Sequence, residues 1–208
     1  MIDQTTLITY LAILLGFVFI PGPAVLLTLA RATSSGTRVG IATGFGIAVG
    51  DLIHTAMAVF GISALILASA FLFSLVKYLG AAYLIYLGIR AILEKTPVVN
   101  GVQTAQITAS QAFKQATLAE VLNPKTALFF LAFLPQFVQP ENGSVALQLT
   151  VLGVLFVMMG LFSTVVVAIG AGGVGKFLRQ NPSVLKWQGK VVGGIYGALG
   201  IRLALQER

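Results

Sequence analysis

Cysteine is absent from this chain and histidine occurs once. Without cysteine there is neither a disulfide framework nor a thiolate metal site. Charge is scarce as well. Only 9% of the 208 residues are Asp, Glu, Lys or Arg, where a water-soluble domain carries roughly 25%. A solvated surface cannot be assembled from so few charges, so lipid must be the solvent for much of the chain. The vocabulary of catalysis is equally thin. The sequence holds no GxSxG elbow, no HExxH pair and no Walker A motif, the short patterns that mark hydrolases, zinc enzymes and nucleotide-driven machines. An enzyme is therefore not expected, nor a catalytic residue, a cofactor or a metal. Any active transport would draw on an ion gradient or on a separate ATPase.

What fills the space instead is apolar. Hydrophobic residues make up 57% of the chain, and the mean hydropathy is +0.96. The 23 glycines fit the same picture, because helices packed in a membrane favour small residues at their contacts. A net charge of +7 raises the question of nucleic acid. The basic residues are few and scattered, however, and make better sense as topology signals than as a phosphate-binding surface.

A transmembrane helix needs about 20 mostly apolar residues. Six segments qualify, at about 5–30, 39–68, 71–93, 114–138, 145–172 and 184–205. The boundary between the second and third is marked only by Ser69 and Ser74. Leu7 to Ile20 could pass for the core of a cleaved signal peptide, which would want a basic stretch ahead of it. Asp3 stands there instead, and the apolar run continues past Pro21-Gly22-Pro23 to Ala30, so it reads as the first span. Glu94 to Ala112 is a polar connection rich in Thr, Gln, Ser and Asn, and Gln103 to Gln115 is placed as a short interfacial helix leading into the fourth span.

Basic residues orient the spans. Arg31, Arg38, Arg90, Lys95, Lys114, Lys176, Arg179, Lys186 and Lys190 gather on one side, against Lys77, Arg202 and Arg208 on the other. Both termini are therefore expected outside a bacterial-type cytoplasmic membrane, with the loops after spans one, three and five in the cytoplasm. The chain reads as one transmembrane domain over 1–208, made of a three-helix unit at 1–93, a cytoplasmic linker at 94–112 and a second unit at 113–208.

The two units resemble each other. Lys77-Tyr78-Leu79-Gly80 and Leu87-Gly88-Ile89-Arg90 in span three have counterparts in Lys186-Trp187-Gln188-Gly189 and Leu199-Gly200-Ile201-Arg202 in span six. Pro21 and Pro124 are similarly placed in spans one and four. Three spans per unit is an odd number, so the units would sit inverted in the bilayer, as in many transporters. The expected fold is thus an all-α polytopic membrane protein. It has six transmembrane helices in two inverted three-helix repeats, the first and fourth helices broken.

Asp51 is the sharpest chemical feature. It lies about 12 residues into the second span, roughly 18 Å at 1.5 Å per residue. A carboxylate at that depth costs at least ~2.5 kcal/mol on insertion scales and should face a cavity. A group that is costly to keep charged there suits loading and unloading a proton. His54, three residues on, shares its helical face and either forms a relay with Asp51 or is its hydrogen-bond partner. Gly36, Gly40 and Gly44, with Gly46 and Gly50, line the approach; they let a neighbouring helix come close and also leave room for a small ligand.

Pro21-Gly22-Pro23 and Asn123-Pro124-Lys125 fall inside spans one and four, where proline breaks the helix. A break in lipid survives only against protein or a cavity, and the helix starts it creates suit a substrate carboxylate. Lys125 adds a cation at similar depth, for the substrate or for Asp51. Glu120, nearer the cytoplasmic end, reads as an interfacial acid balanced by Lys114. Ser163 follows Asp51 by the offset seen between the repeats, which would set it opposite the acid. Tyr83, Tyr86 and Tyr196 either line a cavity or pack at the interface.

Taken in order, these residues match a family pattern. Pro21-Gly22-Pro23, then Gly46-Ile47-Ala48-Val49-Gly50-Asp51, then Tyr83-Leu84-Ile85-Tyr86-Leu87-Gly88, then Asn123-Pro124-Lys125 through Phe130 and Phe133-Leu134-Pro135-Gln136-Phe137-Val138 run along nearly the whole chain. The set resembles the LysE/RhtB superfamily of amino-acid exporters, closer to the homoserine/threonine-resistance (RhtB) branch. The resemblance implies secondary active export of amino acids or close derivatives by proton antiport, with small neutral ones such as threonine, homoserine or leucine favoured. By position, Asp51 matches the acid of the second-span motif, and Asn123 and Lys125 the polar core of the fourth. His54 lies outside the pattern and rests on the local argument alone.

The expected site therefore has Asp51 and His54 for proton coupling. Pro21, Gly22, Pro23, Gly46, Gly50, Asn123, Pro124 and Lys125 are expected to bind substrate. The partners are the amino acid, protons and the lipid bilayer, without nucleic acid and with homo-oligomerisation left open. A channel or uniporter for a small solute, or a non-transporting membrane subunit, are the other readings.

Overall fold

A computed structural model describes residues 2–19, 22–62, 70–93 and 106–205. Pro21, the interval around Ser69 and most of the 94–112 connection lie outside the described residues. All the regular structure described is helical. Helices α1 (Gln4–Phe19) and α2 (Pro23–Ser35) form a pair bent by 46°. A proline opens α2, where its missing N–H costs no helical bond. After Gly36, whose φ of 94° terminates α2, α3 (Thr37–Met57) runs on into a wider π-type turn, Ala58–Ile62. Helix α4 is Ala70–Leu93.

Helix α5 (Ala109–Val121) begins on a capping box, the Thr108 hydroxyl accepting from the Gln111 N–H while the Gln111 side chain accepts from the Thr108 N–H. Both roles satisfy N–H groups that a helix start leaves unpaired. The cap absorbs the expected interfacial helix into α5, so the fourth apolar segment starts near 109 rather than 114. Helix α6 (Pro124–Leu128) follows at a 53° bend and continues through a π-type turn and a 3₁₀ turn to Phe137. Helix α7 is Val145–Ile169. The short α8 (Ala171–Gln180) occupies what reads in the sequence as loop, and α9 is Pro182–Leu205.

Among the described residues, Thr37–Gly61 and Val145–Ile169 are each long and apolar enough to cross a membrane, and counting each bent pair as one span raises the number to four. The burial pattern is that of a protein in lipid. Phe60 and Trp187 are exposed, whereas Asp51, His54, Glu120 and Gln148 are buried.

Helices α4 and α9 meet through glycine. A methyl group at Gly88 would fall 2.7 Å from the Gly193 carbonyl, and one at Gly200 would fall 2.8 Å from the Ala81 carbonyl. With no hydrophobic drive between helices in lipid, such close backbone packing is a main source of their association. Along α1, aromatic rings fill the interior. Phe17, Phe129 and Phe156 pack at a tilt with centroids 4.7–5.9 Å apart, and Phe133 and Tyr10 each meet Phe137 at 4.9 and 5.1 Å. The Tyr10 hydroxyl donates to the Leu152 carbonyl at 2.8 Å.

Hydrogen bonds tie matching helix ends. Asp3, Thr6, Gln139 and Gln148 link the starts of α1 and α7 to the segment after α6. At the other end, Arg31 donates to the Gln115 side chain at 2.9 Å.

Candidate functional site

The two bends converge on one cavity of about 60 Å³, several times the ~10–15 Å³ that a single water requires. Phe17 and Val18 reach it from the end of α1, Gly22 to Val25 from the start of α2, and Ile47 and Asp51 from the middle of α3. Glu120 comes from the end of α5, Asn123, Lys125 and Thr126 from the start of α6, and Phe156, Gly160, Ser163 and Thr164 from α7. The cavity thus collects Gly22, Pro23, Asp51, Glu120, Asn123, Lys125 and Ser163 of the residues singled out in the sequence.

Asp51 stands 14 residues beyond the start of α3 at Thr37, about 21 Å along the axis. It is 2% exposed, and no donor reaches its Oδ1. Its carboxyl lies within hydrogen-bonding and Coulombic reach of the Glu120 carboxyl. Glu120 is itself 5% exposed, which corrects its reading as an interfacial acid balanced by Lys114. Lys114 is on the exposed side of α5, whereas Glu120 shares the buried face of that helix with Ala112 and Ala116, which packs on the glycines of α3. Asn123 Nδ2 donates to both of its oxygens at 3.2 and 3.3 Å, and the Thr126 hydroxyl donates to Oε1.

Asn123 organises the break. Its Oδ1 accepts the Lys125 N–H at 3.0 Å and so caps α6, a role in which asparagine is among the best residues. Pro124 opens α6 between two residues of the cavity wall. Lys125 Nζ lies 4.5 Å from the centroid of the Phe17 ring, a cation–π contact. Glu120 is the carboxylate within Coulombic reach of that ammonium.

The remaining candidates stand further out. His54 is buried on the face of α3 below Asp51, but its Nε2–H donates to the backbone carbonyl of Glu120 at 3.0 Å, and its ring stacks on Phe130. That bond assigns the proton to Nε2, since a carbonyl only accepts. Gly46 and Gly50 lie beneath α5. A methyl at Gly46 would fall 2.3 Å from the Phe113 carbonyl, and one at Gly50 would fall 2.6 Å from the Glu120 Cβ. Tyr83 and Tyr86 pack on each other at 5.6 Å and do not line the cavity.

Ser163 does share the cavity with Asp51, and its hydroxyl donates to the Val18 carbonyl at 3.2 Å, near the end of α1. Thr164 donates within its own helix, to Gly160 and Leu161. The sequence signal for Glu120 was available in its spacing, an acid three residues ahead of a helix-breaking Asn-Pro.

In chemical terms the site is a small, half-open space. It holds two facing carboxyls, one ammonium, hydroxyls and two helix starts, walled by Phe17, Val18, Val25, Ile47 and Phe156. That set can hold a charged small molecule or a proton.

Comparison with known proteins agrees. The chain is 31% identical over 199 residues to an uncharacterized membrane protein of Pseudomonas aeruginosa, covering 91% of this chain and 92% of that one. It is 29% identical over 209 residues to the uncharacterized membrane protein YrhP of Bacillus subtilis, covering 96% and 99%. It is also 26% identical over 197 residues to the leucine efflux protein of Salmonella typhimurium, covering 94% and 93%. No solved structure matches it. The model of the LysE type translocator family matches residues 15–207, and on that match the chain, a transporter rather than an enzyme, belongs to the LysE type translocator family.

Proposed function

We propose that the protein exports amino acids from the cytoplasm by proton antiport across a bacterial inner membrane. One observation carries this reading. One cavity joins a mid-helix carboxylate, Asp51, to the two helix breaks and to Lys125. A zwitterion matches that arrangement, with its carboxylate towards Lys125 and the helix starts at Pro23 and Pro124, where N–H groups and the positive dipole ends point. Asp51 takes a proton from outside, and its neutralisation allows the empty carrier to reset.

Small neutral amino acids such as leucine, threonine or homoserine suit the cavity walls of Phe17, Val18, Val25, Ile47 and Phe156. The leucine efflux proteins among the relatives favour the same class. The branch of the family is the homoserine/threonine-resistance one.

Alternating access would come from two inverted three-helix repeats, 1–93 and 113–208. Several correspondences support that reading: a proline opens both α2 and α6 after a bend, Asp51 and Ser163 share one cavity, and Gly88 and Gly200 each sit against the backbone of the other's helix. Both termini would face outward, as the distribution of Lys and Arg indicates.

The test is efflux from proteoliposomes loaded with a panel of labelled amino acids under an imposed proton gradient. Selective, gradient-dependent loss of one or a few is the expected result. Flux that only ever runs downhill would make the protein a uniporter, and no flux with folded protein would sink the exporter reading.

A further inference from the structure

Oδ1 of Asp51 is the only buried side-chain oxygen or nitrogen among the described residues with no hydrogen-bond partner. Around it the polar groups are answered from within the protein: Glu120 by Asn123 and Thr126, Ser163 by the Val18 carbonyl. A buried acceptor left open at a cavity wall asks for a donor from outside the chain. We propose that Asp51 and Glu120 form one shared cation site, which holds a proton when the transporter is empty and the α-ammonium of the amino acid when it is loaded. The proposal rests on the exporter reading above. It adds Glu120 to the machinery and gives a reason why proton and substrate travel in opposite directions.

The argument is one of geometry and charge. Glu120 reaches Asp51 because Gly50 has no side chain in the way; a methyl there would fall 2.6 Å from the Glu120 Cβ. Asn123 and Thr126 hold its oxygens in place. On the α7 side, Gly160 leaves Asp51 Oδ2 in ordinary contact, a methyl there falling 3.6 Å away. Glu120 already has Asn123, Thr126 and the Lys125 ammonium within reach, so the charge left unanswered in the pair is that of Asp51, which calls for one cation. A proton meets that need. So does an ammonium group, which brings one positive charge and three donors.

Both cannot occupy the pair together, so binding the ammonium sends the proton to water. The other titratable groups are few. Among the described residues, α3 adds His54, turned to the Glu120 carbonyl, and α6 adds Lys125, while α1, α2 and α7 line the cavity with no titratable side chain.

Purified full-length protein, weakly buffered with a pH-sensitive dye, is titrated with each protein amino acid in turn. Wild type should release close to one proton per amino acid bound, with affinity falling about tenfold per pH unit once the pair is protonated. The primary amide of that amino acid keeps the ammonium and should release the proton as well, whereas the deaminated acid should release none. In E120Q the release should fall towards zero, and E120D should restore it. If E120Q does not fold, the amide and the deaminated acid decide the matter on wild type. Proton release by the deaminated acid equal to that by the amide, or wild-type release in folded E120Q, overturns the shared site and leaves the exporter standing. Binding of no amino acid by the folded wild type overturns both.

Discussion

Gly50 and Glu120 are packed so closely that a methyl group on the first would stand 2.6 Å from the Cβ of the second. The missing side chain on α3 is what allows α5 to bring its acid to Asp51. G50A should therefore force the two helices apart or push Glu120 away, at a cost of about 1–3 kcal/mol, as overpacking usually does. A lower melting temperature in detergent, together with weakened proton-driven efflux, is expected. Unchanged melting and unchanged efflux would mean that the contact is not tight.

Asp51 to asparagine keeps the shape of the side chain and removes the charge. Since the acid's Oδ1 has no donor, D51N should fold as well as wild type. Proton-driven efflux in proteoliposomes should drop to the level of empty vesicles. Fully coupled efflux by D51N would remove Asp51 from the proton path.

The Ser163 hydroxyl answers the Val18 carbonyl at 3.2 Å, close to the break between α1 and α2. S163A leaves that buried acceptor unpaired, which costs about 1–3 kcal/mol. Thermal unfolding should register the loss. An S163A protein as stable as wild type would show that the carbonyl finds another donor.

Asp3 supplies a pH prediction at the surface. The Thr6 N–H, then the Gln139 side chain and the Thr6 hydroxyl, hold its carboxyl down from 3.8 to about 2. The charged form is thus favoured in the folded state, so its contribution is complete above about pH 4 and fades as pH falls through about 2. The gap in melting temperature between wild type and D3N should be constant from neutral pH down to about 4, narrow as pH falls towards about 2, and be gone below that. A gap that closes near pH 6 would point to some other group.

Membrane character, the helical class, the two breaks and the inward placement of Asp51 were all legible in the residues. Each depends on local composition: charge too sparse for water, prolines that cannot continue a helix, a carboxylate too deep to face lipid. Where each side chain is directed was not legible in that way. Asp51 and His54 share a helical face, yet one lines the cavity and the other bonds a carbonyl of the neighbouring helix. Gly46 and Gly50 flank the acid in sequence but serve to admit α5. Glu120 reads as an interfacial charge until α5 packs on α3, which buries the face it shares with Ala112 and Ala116. Those outcomes depend on which backbone approaches which glycine, and no single segment specifies the partner that covers it.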